Sequence, residues 1–134
     1  MREKLEKLLN NSYAPYSNVH FACIVETENG NFYSGVNVEN ASYGGTICAE
    51  RNAINSAIAN GEKNIKVVYL MTDKEDVCYP CHICKQTFLE FLDSSVIFNL
   101  MTRSGKMEVL TYDEIMNKKF SKEDLKWKVD LLAL

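Results

Sequence analysis

Cys48-Ala-Glu50-Arg51, followed later by Pro80-Cys81-His-Ile-Cys84, constrains this chain more than any other stretch. Three thiols can serve one ion only if the fold carries two distant segments to the same point. Zinc in a closed structural site takes four protein donors, whereas a catalytic site holds three and leaves the fourth position to water. Cys48, Cys81 and Cys84 make three. Glu50 sits where a proton carrier for that water would sit.

Both segments read as helix starts. From Cys48 to Asn60, Ala49, Ala53, Ile54, Ala57 and Ile58 recur at helical spacing, and Gly61 is the stop signal. A second helix is predicted over His82 to Leu92, with Ile83, Phe88 and Leu92 directed inward. All three sulfurs then lie at helix N-termini, where unpaired N–H groups and the positive dipole end favour the thiolate. Pro80 suits the approach to a helix because it has no N–H to satisfy. Arg51 and Lys85 are the nearby cations that offset the charge of a sulfur-rich site.

Other readings share these cysteines. Cys78, Cys81 and Cys84 with Cys48 would serve an iron–sulfur cluster, but the remaining ferredoxin pattern is missing and Glu50 would have no task. A closed zinc site with Cys78 as fourth thiolate is a further alternative. Cys23 falls in a core strand and reads as a small buried hydrophobe. His82 reads as solvent-facing rather than as an added donor, and His20 as strand surface.

Around these motifs the chain, at 134 residues, reads as one domain spanning 1–134. Residues 2 to 10 form an amphipathic helix, and Tyr13 to Ser17 a turn. Val19 to Glu26 and Phe32 to Val38 are strands joined by a hairpin turn at Glu28-Asn-Gly-Asn31, and Asn40 to Gly45 is a loop. Val67 to Met71 is a compact apolar run fit for a buried parallel strand. Val96 to Leu100 and Met107 to Leu110 are two more strands, and Thr111 and Ser121 each open a helix. A hairpin followed by strand–helix alternation argues for an α/β fold, a three-layer α/β/α sandwich with a mixed five-stranded sheet.

A net charge of −3 argues against a phosphate-backbone binder. The lysines of the last third (Lys118, Lys119, Lys122, Lys126, Lys128) are interspersed with Glu123, Asp124 and Asp130, as on a solvated helix surface. No apolar stretch approaches the ~20 residues of a membrane span, and the first residues carry no apolar signal core. A cytoplasmic location is expected. Five cysteines, an odd number, then favour metal or catalysis over disulfides.

Tyr13-Ala-Pro-Tyr-Ser17, Asn37-Val-Glu-Asn-Ala-Ser-Tyr43, Cys48-Ala-Glu-Arg51 and Pro80-Cys-x-x-Cys-Lys-Gln86 together resemble the small homotetrameric zinc-dependent cytidine deaminases. The likeness runs from about residue 13 to 100 and more weakly to Phe120 and Leu125. It implies hydrolytic deamination of cytidine and 2′-deoxycytidine to the uracil nucleosides in pyrimidine salvage, with one Zn²⁺ per subunit on Cys48, Cys81 and Cys84. Glu50 is then the catalytic proton carrier. Asn37 and Glu39 match the ribose 3′-hydroxyl contacts, and the backbone at Ala49 a contact to the base. Arg51 and Gln86 match residues that moderate the thiolate charge. Tyr43 and Phe120 resemble aromatics at a site shared between subunits of a homotetramer, Phe120 approaching from a neighbouring chain. No nucleic-acid or membrane partner is implied.

Two positions depart from the family pattern. Val19 stands where close relatives carry an aromatic that stacks on the pyrimidine, leaving that task to Phe21 or another residue, and Lys85 replaces an Arg. Val19 motivates an alternative substrate, a modified cytosine nucleoside of the blasticidin S or N4-substituted type. A non-catalytic zinc-binding protein is the alternative from another class, and the intact Glu50 argues against it.

Overall fold

Period-two burial along the strands explains why the sheet is covered on both sides. A computed structural model describes residues 1–124. In β1 (Phe21–Thr27), Ala22 and Ile24 point to one face and Cys23 and Val25 to the other. β3 (Ile65–Thr72) and β4 (Ile97–Thr102) repeat the alternation, with Met71 and Met101 on the first face and Val68, Leu70, Phe98 and Leu100 on the second. Leu5 and Leu9 of α1 (Arg2–Leu9) close the first face. The second takes α2 (Ala49–Ala59) through Ala53, Ile54 and Ala57, and α3 (His82–Phe91) through Cys84 and Phe88.

With β2 (Phe32–Val36) and β5 (Met107–Thr111), the five strands run in the order β2-β1-β3-β4-β5. Only the β3–β4 pair is parallel, so the sheet is mixed and the predicted three layers are present. Thr111 caps α4 (Tyr112–Met116) through a capping box with Glu114. Gly61, at φ +85, ends α2 in the left-handed conformation its missing side chain allows. Among the described residues no helix is long and apolar enough to cross a membrane. Leu125, Lys126, Lys128 and Asp130 lie outside the described residues.

Several boundaries differ from the sequence reading. β1 begins at Phe21 rather than Val19, because the N–H groups of Val19 and His20 are taken by Ser17 Oγ (3.1 Å) and Asp73 Oδ1 (3.0 Å). β2 ends at Val36; Val38 instead bridges Tyr13 and Ile47. The loop after it contains a 3₁₀ turn at Tyr43–Gly45. Ile83 is exposed, not inward. The buried stripe of α3 runs Cys84, Phe88, Leu92 at four-residue spacing, which puts Ile83 off that face.

Gly35 is where β2 meets α2. A Cβ there would lie 2.4 Å from Ala53 N, 2.6 Å from Ala49 O and 2.8 Å from Asn52 Cβ. Asn52 Nδ2 donates to Val36 O at 2.8 Å and fixes the same contact.

At the opposite end of α2, buried Glu62 accepts hydrogen bonds from Thr27 Oγ1, Asn29 Nδ2, Asn31 Nδ2 and Tyr33 OH, at 2.8–3.1 Å. These donors, Asn31 and Asn29 foremost, hold its carboxyl below the ordinary carboxylate value. A depressed folded-state pKa contributes stability above the unfolded value and loses it as pH falls through the folded one. Glu62→Gln should therefore lower the melting temperature at neutral pH, and the gap from wild type should shrink below about pH 4. Thermal melts across pH check this; a gap that stays constant into acid contradicts it.

Candidate active site

Two helix N-termini meet at one end of the sheet. Cys48 is the N-cap of α2, and Cys81 is the N-cap of α3, its sulfur accepting from Cys84 N at 3.5 Å. Cys84 follows in the first turn of α3. The three Sγ atoms all lie within 4.8 Å of one another, with Cys48 and Cys81 at 3.6 Å. Tetrahedral zinc with Zn–S near 2.3 Å needs sulfurs roughly 3.8 Å apart, so the donor set fits that ion. Cys78 is buried but is not a member of this group, so the sulfurs gathered here are three.

Charge around the sulfurs is arranged for an anion. The Cys81 thiol accepts from the thiols of Cys48 and Cys84 and from the α3 backbone, which holds it well below its ordinary value. Arg51 reaches back along α2, its Nη2 lying 3.7 Å from Cys48 Sγ and 3.2 Å from Thr46 O. Its Nε is buried with no partner. Lys85 is also buried, but its ammonium donates to the carbonyl of Lys118. Gln86 is exposed on α3, so Arg51 rather than Gln86 borders the sulfurs here.

A cavity of about 150 Å³ opens beside Cys48 and Cys81. Glu50 lines it from the first turn of α2 and is only 4% exposed. Burial pushes its carboxyl up to about 7, so it can hold or release a proton near neutrality.

At the other end of the cavity are Asn37 and Glu39. Asn37 Oδ1 accepts from Phe21 N (2.9 Å) and from the Ser12 hydroxyl, while Nδ2 donates to Val19 O (2.9 Å). These bonds fix the amide orientation and leave one N–H to offer. Glu39 accepts from the backbone N–H groups of Tyr16 and Ser17 and from the Ser17 hydroxyl. The two residues therefore present a donor and an acceptor side by side.

The remaining expected residues divide. Ala49 is fully buried beneath Gly35 and is not part of the cavity lining. Tyr43 is 80% exposed, edge-on to Tyr16 with ring centroids 6.2 Å apart, and also lies outside the lining. Phe120 lines the cavity of its own chain. The Lys85–Lys118 bond holds its segment across the start of α3. Thr46 and Tyr79 line the cavity without having been singled out from the sequence, as does Ser17, which the sequence placed in a turn and in the first family motif without assigning it a role.

The description "cytidine and deoxycytidylate deaminase zinc-binding region" matches residues 1–100. A cytidine deaminase of Sporosarcina psychrophila is 33% identical over 93% of this chain and 92% of its own length. A Blasticidin-S deaminase of Bacillus cereus is 27% identical over 77% of this chain and 78% of its own. Among solved structures, the cytidine deaminase of Burkholderia pseudomallei superposes with a TM-score of 0.80 at 30% identity, covering 88% of this chain and 94% of the other.

Proposed function

This chain belongs to the cytidine and deoxycytidylate deaminase family, and from that premise we infer that Glu50 and the three cysteines carry its reaction. The protein is a zinc-dependent hydrolase that replaces the C4 amino group of cytidine and 2′-deoxycytidine by oxygen and releases ammonia. The observation that supports the residue assignment best is the buried Glu50 carboxyl in the same cavity as Cys48 and Cys81, with Asn37 and Glu39 at the far end.

Cys48, Cys81 and Cys84 would hold the zinc, which when bound would supply the Lewis acidity that makes a water nucleophilic near neutral pH. Glu50 takes a proton from the attacking water and passes it to N3 of the pyrimidine, then collects the proton of the new C4 hydroxyl and delivers it to the departing amine as the C4–N bond breaks. Its raised pKa suits both directions of transfer. Arg51 offsets the negative charge of the sulfurs. The free N–H of Asn37 donates to a sugar hydroxyl oxygen, and Glu39 accepts that hydroxyl's proton. A phosphate at that oxygen would set acceptor against carboxylate, so a free nucleoside fits and a continuing polynucleotide strand does not.

Ultraviolet absorbance of zinc-loaded protein mixed with cytidine, deoxycytidine or cytidine 3′-phosphate tests this directly. Both nucleosides should be converted and the 3′-phosphate should not; inertness towards both nucleosides overturns the reading. Val19, an aliphatic lining residue, favours as second substrate a cytosine nucleoside with an enlarged N4 group. A large turnover preference for such an analogue over cytidine would make it the first.

We also infer a cytoplasmic homotetramer whose subunits share their active sites. Tyr13, Tyr16, Val38 and Tyr43, apolar and exposed on the segments leading into the cavity, are the surface that supports it. Analytical ultracentrifugation should give four chains per particle.

A further inference from the structure

We propose that Tyr79 is the aromatic platform for the pyrimidine ring, an affinity-determining residue of the deaminase site. The inference rests on the deaminase reading and deepens it. Val19 reaches the cavity with a short aliphatic group, so the segment before β1 offers the base no aromatic face at that position. Tyr79 lies two residues before Cys81, and the strand-to-helix connection that presents this sulfur also presents its ring.

Two contacts fix that ring. Its hydroxyl lies 3.0 and 3.2 Å from the two carboxylate oxygens of Glu108 on β5, and donates to this group. The Lys118 ammonium stands 5.2 Å from the ring centroid. Lys118 is not part of the cavity lining, so one face of the ring is engaged by a group outside the cavity. The Lys118 carbonyl is tied in turn to the buried Lys85. With the hydroxyl and one face engaged elsewhere, the remaining π surface is what Tyr79 contributes to the cavity.

A flat heteroaromatic base beside such a pinned ring gains stacking with little loss of side-chain freedom. Phe21 and Phe120 also line the cavity, but among the described residues neither ring has a cation or aromatic partner such as Lys118 gives Tyr79. The only proton of the Tyr79 hydroxyl is committed to Glu108, which leaves Tyr79 no part in proton transfer. The contribution is to binding, carried equally into ground and transition states, and it should appear in KM.

The test compares Tyr79→Ala, Tyr79→Leu and Tyr79→Phe with wild type in zinc-loaded protein, reading KM and kcat for cytidine, the inhibition constant of uridine, and zinc content. Tyr79→Ala and Tyr79→Leu should raise KM about 10- to 100-fold and weaken uridine in parallel, with kcat and zinc nearly unchanged. Tyr79→Phe, which keeps the ring, should stay within about 3-fold of wild type. Should Tyr79→Ala fail to fold, Tyr79→Leu carries the comparison because it retains bulk. A wild-type KM in Tyr79→Leu, or a loss of kcat together with zinc, overturns the platform and makes Tyr79 a support for the Cys81 loop. Wild-type protein inert towards cytidine would instead overturn the deaminase reading itself.

Discussion

Glutamine at position 50 should leave a folded, zinc-loaded protein whose turnover of cytidine falls on the order of 10⁴-fold, the upper end for one acid–base group. In the proposed reaction the carboxyl acts repeatedly in each cycle, taking a proton and then giving it up. An amide of the same shape can do neither. Glu50 is buried beside three sulfurs, and burial has pushed it up to about 7, the range where both transfers are possible at neutral pH. Removing its charge takes nothing from the metal's donor set and relieves repulsion from Cys81, so zinc content should hold or rise. KM should move little, because Asn37 and Glu39 at the far end are untouched. Metal analysis beside single-turnover assays checks the pair of outcomes. Near-normal turnover would remove Glu50 from the mechanism, and zinc loss would mean it serves the site structurally.

Gly35→Ala should destabilise the protein by about 3 kcal/mol, the upper part of the range for overpacking. That corresponds to a drop of roughly 10 °C in melting temperature for a chain of this size. Two of the three atoms the new methyl would meet are backbone atoms of α2, at 2.4 and 2.6 Å, and these cannot rotate aside. Only movement of the whole helix relieves the clash. Since Cys48 caps that helix and Glu50 lies in its first turn, the displacement should reach the site, weakening zinc affinity and lowering kcat. Thermal melts and zinc titration of the variant decide it; wild-type behaviour in both would mean that the sheet and helix can separate cheaply here.

What the sequence revealed and concealed follows from the range of each interaction. The sulfur trio was legible because capping is local: Cys48 and Cys81 each precede a helical period, and the N-cap of each helix is where its sulfur ended up. Strand alternation likewise placed Ala22 and Ile24 opposite Cys23 and Val25. Gly35 was silent, since a glycine in a strand reads the same whether it faces solvent or a helix more than ten residues on. The donors around Glu62 come from a hairpin far from it in sequence, and no local pattern joins them. Ile83 was misjudged because one residue decides which side of a helix is buried, and the sulfur of Cys84 had already taken the inward position. Phe120 was linked to a neighbouring chain through family likeness alone; its place along the cavity of its own chain depends on the tie between Lys85 and Lys118, which no local pattern shows.

Cys48 and Cys81 stand 33 positions apart, and the interval holds all of α2 and β3, the middle strand of the sheet. An ion gripping both cysteines turns that interval into a closed circuit, and shortening the freedom of an open chain in this way favours the folded state. Chelation should accordingly be felt well beyond the reaction centre, as a slackening of the protein's interior. The same cation that arms the enzyme also cinches its waist.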